Sequence, residues 1–210
     1  MKYKHIVFDI DGTLIDSETT LVLSLQQTVK EVLGKDMAYE ELVPFFGIPS
    51  LETLNALNFP DYEEGLGIWE KHFREKFSLI VPYEGVSNFL HDLARSGAQM
   101  GIVTSRNLNE IGNDPNLEQW LVKDRLFGTI IGANDTVLHK PDPAPLLEYV
   151  RRTGAKPSEC LYVGETVSDS SCGLGAGCDF CLVSHRRPAD RNIPATHYAD
   201  GLDDLKAILS

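Results

Sequence analysis

The chain has 210 residues, 42% of them apolar and 24% charged, a composition that suits a globular fold of one domain or of one domain carrying an insertion. Its 31 acidic residues outnumber 19 basic ones, and the net charge of -12 argues against nucleic acid or an anionic membrane surface as a partner. No apolar run is long enough to span a bilayer, so a cytoplasmic location with no obligate protein partner is expected.

The first element is the run Ile6-Val7-Phe8, a short apolar stretch suited to a strand buried on both faces. It ends on two acids, Asp9 and Asp11, with Gly12 behind them to turn the chain. These residues fit a turn; they also fit a nucleophilic carboxylate at Asp9, an acid/base partner at Asp11 and a bound divalent cation, and the residues downstream decide between the two. Asp16 and Ser17 then read as a helix N-cap, followed by Leu21, Leu25, Val29 and Val32 at helical spacing up to Gly34. Short helices are predicted over 39–46 and 50–57, broken by Gly47-Ile48-Pro49. A longer one is predicted over 63–77, with Trp69, Phe73 and Phe77 on one face for core packing.

Beyond residue 80 the character changes. A turn at 81–85 precedes a helix over 86–96 that ends at Gly97, then a strand at Met100-Gly101-Ile102-Val103 and a polar helix near 107–120. A strand at 128–131 follows, then a helix opened by Asp142-Pro143 and closed by Gly154, and strands at 160–163 and 180–183. Strands alternating with helices predict an α/β fold built on a doubly wound, Rossmann-like parallel sheet. The all-helical block interrupts this alternation after the first strand, which divides the chain into an α/β core, 1–15 and 81–210, and an inserted helical cap, 16–80. Charge divides evenly between the two, so neither carries a basic face.

In open parallel sheets, ligands collect at the carboxyl ends of the strands. Those ends carry Asp9 and Asp11, then Thr104, Ser105 and Arg106, then Glu165 and Asp169, while Lys140 immediately precedes a proline-locked helix start. Four carboxylates at one place repel; a hard dication, Mg²⁺, together with Lys140 would neutralise three of the negative charges. An incoming phosphoryl group would find a hydroxyl at Thr104, an ammonium at Lys140 and a metal. Asp9 is placed to attack phosphorus, and Asp11 to handle the proton of the leaving oxygen and of the hydrolytic water.

The sequence resembles the haloacid dehalogenase-like (HAD) phosphohydrolases, in particular the phosphoglycolate phosphatase-like branch with a helical cap. Asp9-Ile10-Asp11-Gly12-Thr13-Leu14 looks like the first motif, Thr104 like the phosphate-binding hydroxyl of the second, and Lys140 before Pro141 like the lysine of the third. Val163 to Asp169 looks like the metal-binding fourth motif. The resemblance implies a Mg²⁺-dependent phosphatase of a small phosphorylated metabolite, working through an aspartyl-phosphate. It implies Asp9, the backbone carbonyl of Asp11, Glu165 and Asp169 as the metal's ligands, with Thr104, Ser105 and Lys140 on the substrate. Glu165 departs from the pattern, which usually has Asp there. A phosphomutase of the β-phosphoglucomutase type and a weakly active metabolite-binding protein are the competing readings.

Several other features are assigned no site. Cys178-Asp179-Phe180-Cys181 lacks the second ligand pair that zinc needs, and the four cysteines read as buried thiols. The Gly173, Gly175, Gly177 run reads as close helix packing, none of the six histidines has a spaced partner, and Arg186 and Arg187 read as a solvated loop. Arg106 fits either a phosphate contact or a solvent-facing position. The stretch 46–50 in the cap holds no charged residue, so a leaving group with a carboxylate would need a cation from elsewhere, with Lys71 and Arg74 as the candidates.

Overall fold

A computed structural model describes residues 2–48, 50–106, 108–112 and 114–210. The chain divides into two compact units, Met1–Ile15 with Pro82–Ser210, and Asp16–Val81. A short ribbon pairs Ile15–Asp16 with Val81–Pro82 where the chain passes from one unit to the other and back.

The first unit is built on six strands: β1 His5–Phe8, β2 Gln99–Val103, β3 Thr129–Ile131, β4 Cys160–Gly164, β5 Asp179–Val183 and β6 His197–Ala199. They lie in the order β3-β2-β1-β4-β5-β6, and every pairing is parallel. β1 is central: Val7 stands opposite Gly101 on one side and Tyr162 on the other. All four of its residues are buried, as expected of a strand covered on both faces. Helices Val86–Arg95, Ala144–Thr153, Val167–Gly175 and Leu202–Leu209 alternate with the strands. This is the doubly wound order in which the chain reverses direction beside β1, and the crevice at that reversal opens at the carboxyl ends of β1 and β4.

Two sequence expectations change here. The edge strand β6 was not anticipated, because His197-Tyr198-Ala199 has neither an apolar run nor alternation long enough to read. The polar helix expected near 107–120 is two short helices, Leu108–Gly112 and Pro115–Glu118, continued by a π-helical turn, Gln119–Lys123. Asn107 and Asn113 lie outside the described residues. The glycine run behaves as packing: a side chain at Gly173 would press on Tyr162 and Phe180 at 3.2 and 3.3 Å. All four cysteines are buried as free thiols.

The second unit is helical: Glu18–Leu33, Tyr39–Leu42 with a 3₁₀ turn Val43–Phe45, Ser50–Ala56 and Tyr62–Glu75. Ser17 stands at the first helix's cap position without a side-chain capping bond, whereas Asp61 caps the last helix by accepting from the Glu64 N–H at 2.9 Å. Val22, Leu25, Val29, Leu42, Leu54 and Trp69 form its core, and the Trp69 indole donates to Ser24 Oγ at 2.9 Å. Of the expected aromatic stripe only Trp69 is buried; Phe73 and Phe77 meet edge to face while half-buried. The buried His72 bridges Glu31 at 2.8 Å and Glu75 at 3.1 Å, a structural use that histidine spacing did not reveal. Pro49, in the uncharged 46–50 stretch, lies outside the described residues. Among the described residues no helix is long and apolar enough to cross a membrane.

Candidate active site

Asp9, Thr104 and Glu165 reach the carboxyl edge of the sheet because each directly follows a central strand, whereas Asp11 lies in the loop after β1, Lys140 in the loop before the helix Ala144–Thr153 and Asp169 within the helix Val167–Gly175. Asp9 extends β1 by one ladder bond, its N–H donating to Val163 O at 2.9 Å, and Thr104 extends β2 by donating to Ile131 O at 3.1 Å. Gly12 adopts φ 74°, a left-handed conformation suited to glycine, and the N–H groups of Leu14 and Ile15 return to Ile10 O. That tight loop turns the chain directly after Asp11. Glu165 follows Gly164 at the end of β4, half-buried, and Ser105 is exposed beside Thr104.

Two carboxylate–cation–carboxylate relays occupy this edge. In the first, the buried Lys140 ammonium lies 2.9 Å from Asp9 Oδ1 and 2.7 Å from Asp169 Oδ1. Asp169 is fully buried and its oxygens are engaged: Oδ1 also meets the Tyr162 hydroxyl at 2.8 Å, and Oδ2 accepts from Thr166 N and Oγ1 at 3.0 and 2.7 Å. Thr166 in turn caps the helix Val167–Gly175 by accepting from Asp169 N, a reciprocal capping box. Gly164 is required, since a Cβ there would come within 2.6 Å of the Asp169 side chain. Burial pushes the Asp9 carboxyl up to about 7; Lys140 opposes this rise, while the charges of Asp169 and Asp11 add to it. Burial also works against ionising Asp169, but Lys140 and the two Thr166 donors outweigh it and hold that carboxyl below its ordinary range.

The second relay was not read from the sequence. Arg106 does not face solvent; its side chain is 11% exposed and forks onto Asp11, Nε to Oδ2 at 2.7 Å and Nη2 to Oδ1 at 2.6 Å. Its remaining arm, Nη1, meets Asp114 Oδ2 at 2.7 Å, and the Asp114 side chain is fully buried. Burial opposes the guanidinium's charge, and the two carboxylates more than compensate, raising its pKa. Asp114 lies in a polar stretch with no periodicity to mark it as buried.

Among the described residues no three His, Cys, Asp or Glu side chains gather as a metal-binding group. Mg²⁺ does not need such a group: it binds through one or two carboxylates and fills its octahedron with other oxygens and water. Asp9, Glu165 and the Asp11 carbonyl offer hard oxygens from two neighbouring strand ends, and this donor chemistry fits Mg²⁺. The bonding of Asp169 to Lys140, Tyr162 and Thr166 suits support from behind better than direct ligation.

Acidic residues, a buried lysine and a hydroxyl thus gather at the switch point of a doubly wound sheet, where open α/β folds hold their ligands. Residues 6–183 match the family described as haloacid dehalogenase-like hydrolase. Pyrophosphatase PpaX of Bacillus velezensis is 31% identical over 173 residues, 82% of this chain and 79% of that protein. Phosphoglycolate phosphatase of Pseudomonas syringae pv. syringae is 30% identical over 217 residues, 98% of this chain and 78% of that protein. A haloacid dehalogenase-like family hydrolase from Streptococcus pneumoniae superimposes with a TM-score of 0.83 at 18% identity, covering 100% of this chain and 99% of that one. The chain belongs to the haloacid dehalogenase-like hydrolase family.

Proposed function

We propose that the protein is a Mg²⁺-dependent phosphatase of a small phosphorylated metabolite, acting through a phosphorylated Asp9. The observation that carries this reading is the Asp9–Lys140–Asp169 relay beside Thr104 at the carboxyl end of the sheet. An ammonium has three N–H donors. Two of those on Lys140 are directed at Asp9 and Asp169, which leaves a third for a phosphoryl oxygen, and Thr104 Oγ1 is placed for another. Asp9 attacks phosphorus, the bond from phosphorus to the leaving oxygen breaks, and Asp11 supplies that oxygen's proton. Asp11 then takes a proton from the water that attacks the aspartyl-phosphate, which frees the Asp9 carboxylate, returns Asp11 to its protonated form and releases phosphate. When bound by Asp9, Glu165 and the Asp11 carbonyl, Mg²⁺ supplies charge neutralisation for the phosphoryl oxygens. The helical unit, Asp16–Val81, is the candidate cap that excludes water during these steps.

The curated relatives named above are a pyrophosphatase and a phosphoglycolate phosphatase. Their leaving groups, phosphate and glycolate, are both small anions, and we take a small anionic leaving group as the substrate class here. The test is Asp9→Asn, nearly isosteric and unable to form the acyl phosphate. Phosphate release from pyrophosphate and phosphoglycolate should fall at least about 10³-fold, in line with the loss of a nucleophile that acts as a unit with its partners. Quenched wild-type enzyme should carry the phosphoryl adduct on Asp9 by mass spectrometry. Full activity in a pure Asp9→Asn preparation, or an adduct on another residue, sinks the mechanism.

A further inference from the structure

We propose that Arg106 is the recognition residue for an anionic leaving group, and that Asp11 occupies this anion site until substrate arrives. The proposal rests on the phosphatase reading above and adds to it a residue, a substrate feature and an exchange. A guanidinium edge made of Nε and one Nη is shaped for two oxygens of a carboxylate or phosphate. Arg106 presents that edge to Asp11 at 2.7 and 2.6 Å, the geometry it would give a substrate anion.

Its other arm explains why the edge stays aimed. Asp114, fully buried, holds Nη1 at 2.7 Å, so Arg106 remains anchored when Asp11 leaves. The Arg106 backbone N–H adds a bond to Thr104 Oγ1 at 3.3 Å, tying the anion site to the hydroxyl assigned to the transferring phosphoryl group. Exposure sets the direction of exchange: Asp11 is 28% exposed, Arg106 11% and Asp114 0%, so an incoming anion meets the Asp11 side of the fork.

The exchange also serves the chemistry. An Asp11 oxygen that donates a hydrogen to the leaving oxygen cannot use the same site to accept from Arg106. A substrate whose leaving group carries a carboxylate or a second phosphate takes the fork and frees Asp11; a neutral leaving group leaves it clamped. The uncharged stretch 46–50 offers no cation for such a group, and Arg74 pairs with Glu70 on an exposed helix face. Arg106 is therefore the better candidate for that cation than Arg74 or the exposed Lys71.

The full chain with Mg²⁺ would be assayed on pyrophosphate and phosphoglycolate against p-nitrophenyl phosphate, whose leaving group carries no second anion. Arg106→Gln, Arg106→Lys and the double variant Arg106→Gln/Asp114→Asn would be compared, the last removing the buried carboxylate that the single change strands. Truncating one side of a bidentate charge pair commonly costs enough for a loss of about 30-fold or more. The ratio of kcat/KM for anionic over neutral leaving groups should fall by that factor, mainly through KM, and Lys should not restore it. An unchanged ratio overturns the proposal, including the case in which both substrates slow together because Arg106 only positions Asp11. Binding separates this proposal from the reading beneath it. Methylenediphosphonate should bind wild type more tightly than methylphosphonate, and Arg106→Gln should erase the difference. If that advantage holds while wild type hydrolyses none of the three substrates, the anion site stands and the phosphatase reading falls. No advantage in wild type overturns the site itself.

Discussion

Two carboxylates, two residues apart on one turn, are held in opposite ways. Asp9 meets a lysine whose ammonium is shared with a second acid, and both acids and the ammonium are buried. Asp11 meets an arginine through a planar fork, at a position that remains partly open to solvent. A lysine offers a point charge with rotatable donors, so it can hold Asp9 and still reach a third oxygen. An arginine offers fixed directions, so whatever fills its fork is oriented and whatever it releases is freed. The difference suits a nucleophile that must stay in place and a proton carrier that must change partners.

The comparison can be broken most severely at Lys140. Lys140→Met leaves Asp9 and Asp169 buried without their shared cation, and breaking a buried pair costs about 3–5 kcal/mol. Denaturant unfolding should report a loss of that size, and phosphate release should fall roughly 10²–10³-fold for want of the electrostatic partner. A stability loss under 1 kcal/mol would show that Lys140 is not the cation holding the first relay. Asp114→Asn should do less. The amide oxygen still accepts from Nη1, and the loss of a charge-assisted bond predicts about 1.5–3 kcal/mol by the same measurement. Its activity loss should be confined to substrates with anionic leaving groups, because Asp9 and Lys140 are untouched. An equal loss on p-nitrophenyl phosphate would mean that the relays are not separable.

The smallest change sharpens the first relay. The Tyr162 hydroxyl lies 2.8 Å from Asp169 Oδ1 and 3.0 Å from Val103 O, but its single hydrogen serves one acceptor at a time, and the charged oxygen is the stronger. Tyr162→Phe removes that donor and should cost about 1.5–3 kcal/mol at most, with turnover changed severalfold rather than abolished. A loss as large as that of Lys140→Met would mean that the phenol, and not the ammonium, keeps Asp169 ionised.

What was legible in the sequence follows strand ends. Asp9, Thr104 and Glu165 each follow an apolar run, and a run buried on both faces announces both a central strand and the residue that leaves it. Lys140 was legible through the proline-locked helix start beside it, and Asp169 through its place four residues beyond Glu165. Arg106 was visible as a residue but not as a partner, because its direction depends on Asp114, and nothing in a short polar stretch marks an aspartate for full burial. The strand β6 was hidden for a related reason: three residues carry too little periodicity, and its place depends on pairing with β5. His72 shows the same limit in the helical unit, since Glu31 and Glu75 come to it from two helices 41 and 3 residues away in sequence.

The four cysteines have a practical consequence. All of them belong to the sheet unit, none lies between residues 16 and 81, and their exposures run from 0% to 4%. A thiol-alkylating reagent therefore reaches them only when the sheet unit itself opens, and the labelling rate becomes a clock for that opening. Movement of the helical unit leaves this clock silent. Trp69, buried in the helical unit, can be followed by its fluorescence once Trp120, in the sheet unit, is replaced. With Trp120 replaced, the chain carries separate reporters for the opening of its sheet and for rearrangement of its helices, and the two can be timed independently in one sample.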